Sequence, residues 1–169
     1  SSGAGGNDGI SDLRKAFRGA GRLMAADNGP RVAVLAVDGW DMHSQEGQVT
    51  GMLHDMLAEL DLALNHLKTE LGAVWTNTVA ICATEFGRTV KTNGDSGTDH
   101  GIGTTSMLLG GAVKQGFVGD WPGLADAQLE DGDLRVTVDL RSVFKGVLRD
   151  HIGVPSDVME TTVFPDSAV

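Results

Sequence analysis

The chain has 169 residues, with 13 basic against 23 acidic side chains for a net charge of −10. That balance repels nucleic acid and anionic lipid at long range, so neither is an expected partner. Membrane insertion is not expected either, because no stretch reaches the roughly 18 unbroken apolar residues of a membrane span.

The opening SSGAGGNDG is rich in Gly and Ser, so residues 1–10 read as a linker, a cloning remnant or the interior of a longer protein. It lacks the basic-then-apolar layout of a signal peptide. Residues 11–169 are long enough to bury a core, and a single α/β domain is expected there. Ser11 is placed to cap a helix whose Leu13, Phe17, Leu23 and Met24 give an apolar side, interrupted near Gly19 and Gly21 and ending at Asn28, Gly29 and Pro30. The run RVAVLAVD over 31–38 is apolar and β-branched almost throughout, the pattern of a strand covered on both faces in a parallel sheet. Leu53, Leu57, Leu60, Leu64, Leu67 and Leu71 then step by four and three and predict a helix over about 51–72, packed on a sheet.

Residues 78–84 predict a second buried strand, in which Cys82 reads as a small buried hydrophobe. The glycine-rich stretch 87–103 is a loop, 104–109 a third strand, and Gly110 and Gly111 a tight turn. Further on, the WPGL turn lies in 117–124, and the alternating LRVTVDL over 134–140 suggests a hairpin or edge strand. A last helix over about 139–151 directs Val143, Val147 and Leu148 inward, and Gly153 closes it. The strand–helix–strand order gives the expected fold class, an α/β layered sandwich with a mostly parallel central sheet flanked by helices.

Candidate metal ligands follow these strands. Asp38, Asp41 and His43 lie in VDGWDMHS, Glu85 in ATEFGRT, and Asp99 and His100 in GTDHG. In open α/β sheets the loops after the carboxyl ends of parallel strands converge on one crevice, where carboxylates and imidazoles from distant parts of the chain can share a cation. Asp41 and His43, two apart, can reach one ion; alternatively Asp41 caps a turn and His43 is solvated. Glu85, if dry, needs a cation, which is either Arg88 in an internal ion pair or a metal that leaves Arg88 to grip an anionic substrate. Asp38 and Asp99 are lesser candidates. His54, His66 and His151 read as structural or surface residues. No glycine-rich fingerprint follows a strand and opens a helix, which disfavours a P-loop or dinucleotide enzyme.

In order, GWDMHS, TEFGRT, GTDHG, GDWPGL, VTVDLRSVF and the closing VFP resemble the carboxyl-terminal half of the DUF1501 family, over nearly all of the chain after about Phe17. That family is similar to the alkaline phosphatase/sulfatase superfamily, and its members are exported bacterial proteins, often with a twin-arginine signal. The resemblance implies an exported or periplasmic location, a partial alkaline phosphatase-like fold, and an amino-terminal half of the same protein that this chain lacks. It also implies that Asp41 and His43, with Asp38 as rival carboxylate, hold a first metal with His100 as the later His, and that Glu85 takes the Asp position of a second. The superfamily has Asp-His where this chain has Glu85 and Phe86, and phenylalanine cannot ligate a cation.

The implied function is metal-dependent hydrolysis of a small anionic ester, a phosphate or sulfate. Its divalent ion would be Zn, Mg, Mn or Ca, and Arg88 would steady the substrate anion. The superfamily's nucleophile comes from an amino-terminal region not in this chain, and nothing marks Thr98, Thr104 or Ser106 as activated. The alternative is a non-catalytic exported protein in which a metal serves stability or partner binding.

Overall fold

The computed structural model describes residues 11–167, so the linker expected over 1–10 lies outside the described residues. These residues fall into two compact units, one up to residue 76 together with 93–98, the other 77–92 with 99–167.

The first unit is built on a helical hairpin. Helix α1, Asp12–Ala25, begins at Ser11, whose Oγ accepts from the Arg14 amide at 3.2 Å, as its side chain predicts. It passes through Gly19 and Gly21 without the expected interruption. Gly21 is where α1 comes closest to the second helix: a Cβ there would lie 2.8 Å from Glu70 Cβ and 3.0 Å from Leu67 O. Close packing thus offsets the weak helix propensity of glycine. Helix α2, Met52–Leu71, occupies the range its leucine spacing predicts. The carboxyl-terminal part of the stripe forms the core, where Leu67 and Leu71 join Phe17 and Ala63, with Leu60, Leu64 and Trp75 packed around them. At the other end Leu57 is exposed. Along the helix pair, Glu59 accepts from Ser11 Oγ and Arg14 Nε, and Glu70 is gripped by Arg18 at 3.1 Å and by Arg22 at 2.9 Å. These bonds hold both carboxyls below the usual carboxylate range. A short 3₁₀ helix, Gly72–Asn77, follows α2.

Here the expected fold class is overturned. Among the described residues there are only two small antiparallel ladders, no parallel central sheet, and therefore no layered sandwich; the architecture is a small mixed α/β one. Residues 31–38 form no ladder, and Val34, at 91% exposure, is open to solvent. A central strand requires a neighbour on each edge, and no other described segment supplies one to this run.

In the second unit, strands β1, Ala80–Cys82, and β4, Met107–Leu109, pair antiparallel with Ile81 opposite Leu108. Between them β2, Gly87–Arg88, pairs antiparallel with β3, His100–Gly101. Parallel pairing needs a crossover of about a dozen residues, usually a helix; this connection is a glycine-rich loop that doubles back, so the two ladders nest as one long hairpin. Glycine permits the close return, since a Cβ on Gly87 would sit 1.9 Å from Gly103 O. Burial raises the pKa of the Cys82 thiol.

The expected edge strand over 134–140 is absent too, with only an isolated bridge between Glu130 and Asp133 nearby. Helix α3, Leu140–Val147, is capped by Asp139, continues as a π turn, Leu148–Ile152, and stops at left-handed Gly153. Beyond Pro155, helix α4, Ser156–Val158, runs into a second π turn, Met159–Val163. The centre of this region is an ion: Lys145, 1% exposed, donates to Glu160 at 2.7 Å and to Ser167 O at 2.8 Å. No described helix is long and apolar enough to cross a membrane.

Candidate metal centre

The segment 41–46 is held by a second piece of chain from the far side of the sequence. Asn93 Nδ2 donates to His43 O at 2.9 Å, the Gln45 and Glu46 amides donate to Asp95 O and Ser96 O at 3.0 Å each, and the Thr98 amide donates to Met42 O at 3.2 Å. Asn93 Oδ1 also accepts from the Asp95 and Gly97 amides, which folds 93–97 into a tight loop that can lie alongside. Gly97 is indispensable to that approach, because a Cβ would fall 2.3 Å from the carbonyl carbon of His43. Thr98 is buried and its hydroxyl donates to Glu46 at 2.8 Å.

On this braced segment His43 Nε2 lies 3.0 Å from Asp41 Oδ1, and both side chains are half-exposed. The separation suits a hydrogen bond, and it is close to the roughly 3.3 Å between two atoms that each sit about 2.0 Å from a tetrahedral zinc. The backbone bracing fixes where these two donors stand; their exposure leaves them open to an ion. Met42 between them turns the other way and is buried, the alternation expected when residues two apart share a face. Asp38 is exposed and does not belong to the donor group.

The second unit presents His100 differently. Its ring stacks on Phe86, with centroids 4.2 Å apart and planes inclined by 22°, and the guanidinium of Arg88 stands 6.0 Å from the same Phe86 ring. The ladder pairing of Arg88 with His100 makes these side chains neighbours. Phe86 is thus a plate that orients an imidazole and borders a guanidinium. Asp99, beside His100, bonds through its backbone: the Thr89 amide donates to Asp99 O at 2.9 Å, and the Asp99 amide donates to Thr89 Oγ1 at 3.1 Å. Glu85 is exposed and makes no ion pair with another described residue. A solvated carboxylate needs no internal cation, so the desolvation argument for pairing it lapses.

Asp41 and His43 of the first unit are exposed and offer a carboxylate and an imidazole to a divalent cation, and His100 of the second unit is an exposed imidazole. Sequence reasoning passed over Asn93 and the stacking role of Phe86. The dipeptide Asn93-Gly94 was the available signal for the first, as a turn motif; nothing local signals the second.

No curated protein and no solved structure matches the chain. A family described as protein of unknown function, DUF1501, matches residues 7–163. With nearly its whole length matched, the chain belongs to the DUF1501 family.

Proposed function

We propose that this chain provides the divalent-cation site of a hydrolase acting on small phosphate or sulfate esters. The observation that carries the reading is the exposed Asp41 carboxylate and His43 imidazole, 3.0 Å apart on a segment braced by 93–98. The motif resemblance adds His100 as the third ligand. One carboxylate and two imidazoles suit zinc, and also accept manganese. The cation would polarise the ester oxygen and offset charge as it develops there.

The residues of the chain divide the remaining work. Phe86 fixes the plane of the His100 ring, and Arg88, held along the same ring, takes the substrate anion. The nucleophile comes from an amino-terminal region of a longer polypeptide, as in the alkaline phosphatase/sulfatase superfamily that the motifs resemble. That resemblance also carries an exported location, tested by asking whether the longer polypeptide is recovered from the periplasm.

A second reading is favoured by one observation, the phenylalanine at position 86 packed on His100 where that superfamily has a ligand. In it the protein is non-catalytic and the cation serves stability or partner binding. Hydrolysis of aryl phosphate and aryl sulfate by the longer polypeptide, with His43→Ala and Arg88→Ala beside the parent, separates the two. The hydrolase reading expects metal-dependent turnover, lowered at least a hundredfold by either change. Turnover that is absent, or indifferent to both changes, sinks it.

A further inference from the structure

Two asparagines of the first unit precede a glycine, Asn28 and Asn93, and the sequence gives no reason to separate them. In an Asn-Gly pair the following amide can attack the side-chain carbonyl, because glycine has no Cβ to obstruct the approach. The structure treats the two pairs in opposite ways. The Gly29 amide donates to Ala26 O at 2.8 Å, and a Cβ on Gly29 would lie 2.0 Å from Leu23 O. Its nitrogen is engaged and its backbone wedged, although Asn28 itself is exposed. The Gly94 amide donates to no described residue, Gly94 is exposed, and its Cβ position meets open space.

The side chain of Asn93 is also prepared for attack. Its Oδ1 accepts from the Asp95 amide at 3.0 Å and from the Gly97 amide at 3.1 Å. Two amides on one carbonyl oxygen draw electrons from Cγ and stabilise the negative charge that develops on Oδ1 when a nucleophile adds, as the oxyanion donors of acyl-transfer sites do. The unengaged nitrogen one residue on is the nucleophile.

We propose that Asn93 is a site of spontaneous deamidation, and that its conversion releases the segment carrying Asp41 and His43. The Gly94 nitrogen attacks Asn93 Cγ and gives its proton to water; the Cγ–Nδ2 bond breaks, Nδ2 takes a proton from water and leaves as ammonia, and a succinimide ring remains. Water then opens the ring at either carbonyl to give aspartate or isoaspartate, so water is consumed and ammonia released in equal amounts. In the aspartate product an acceptor-only carboxylate replaces the Nδ2 that donates to His43 O at 2.9 Å. In the isoaspartate product the main chain gains a methylene just before Gly94, so the bonds that join Asp95 O, Ser96 O and the Thr98 amide to Gln45, Glu46 and Met42 lose register. The deamidation stands apart from the proposed cation site; only its consequence for Asp41 and His43 as ligands rests on that reading.

Peptide mapping by mass spectrometry of the chain held at mildly alkaline pH, folded and in urea, provides the test. In the folded chain Asn93 should convert about tenfold or more faster than Asn28, whereas in urea, where both lose their surroundings, the two should convert at similar rates. Gly94→Ala should slow conversion at Asn93 by about tenfold or more and leave the circular dichroism spectrum unchanged, since the position has room for a Cβ and no left-handed backbone. Hydrogen exchange at the Gln45, Glu46 and Thr98 amides should quicken by about tenfold or more in the converted chain and in Asn93→Asp. Asn28 converting as fast as Asn93 in the folded chain, or Asn93 staying intact there while it converts in urea, would overturn the assignment, and unchanged exchange in the converted chain would overturn the release. Zinc titration of the parent and converted chains is read separately: weaker binding after conversion extends the release to the ligands, and no binding by the parent counts against the cation site alone.

Discussion

Asp139 shows how much one side chain can organise at little depth. Its carboxylate accepts from the Arg141 amide at 2.9 Å, capping α3, and from the Arg141 guanidinium at 2.6 Å, so its pKa is lowered to about 2, with the side-chain bond from Arg141 as the largest cause. The folded value lies below the unfolded one, so the cap stabilises α3 above the unfolded carboxyl pKa of roughly 3.9 and is lost as pH falls toward 2. Carbon-13 titration of the Asp139 carboxyl should give a midpoint near 2; a midpoint at the ordinary aspartate value would show that the bond to Arg141 does not persist in solution. Residue-scale reading from sequence was good wherever the chemistry was local. Ser11 and Gly153 were legible because capping depends on a few adjacent residues. Asp41 and His43 were legible as a pair because residues two apart share a face. Asn93 and Gly97 were not, since what they do depends on a segment fifty residues away.

At the scale of elements, periodicity succeeded for helices and failed for strands. The leucine stripe fixed α2 to within a residue at each end, because a helix satisfies its backbone internally and needs only one apolar face covered. Leu71, 2% exposed, is the best-buried part of that face. Leu71→Ala should lower the unfolding free energy by about 2–5 kcal/mol in urea titration, and a loss under 1 kcal/mol would mean that the α1 and α2 interface is not the core of this unit. A strand, by contrast, is completed by its neighbours. The run 31–38 has the composition of a buried strand and lacks the partners, while 80–82 and 107–109 find each other antiparallel. Their apolar runs marked them as strands, but of a parallel sheet; their antiparallel pairing follows from the loop between them, whose glycines allow the chain to turn back instead of crossing over.

For the whole molecule, family membership and the donor set bear on function in different ways. The match over residues 7–163 places the chain in a family described as of unknown function, so chemistry must be argued from side chains. What they offer is an exposed carboxylate and imidazole on a segment that distant backbone bonds hold rigid, with a second imidazole oriented by an aromatic plate. The net charge of −10 adds a general attraction for cations. Under the proposed hydrolase reading it would also slow the approach of an anionic ester, and Arg88 and a bound cation would be the groups to overcome it.

The central claim is that Asp41 and His43 hold a divalent cation, and titration calorimetry of the metal-free chain with zinc and with manganese tests it most directly. One ion per chain is expected, with affinity reduced at least tenfold by His43→Ala and by His100→Ala and unaltered by His54→Ala, whose ring pairs with the neighbouring Asp55 on the exposed face of α2. No heat of binding, or binding that survives the loss of His43, would contradict it.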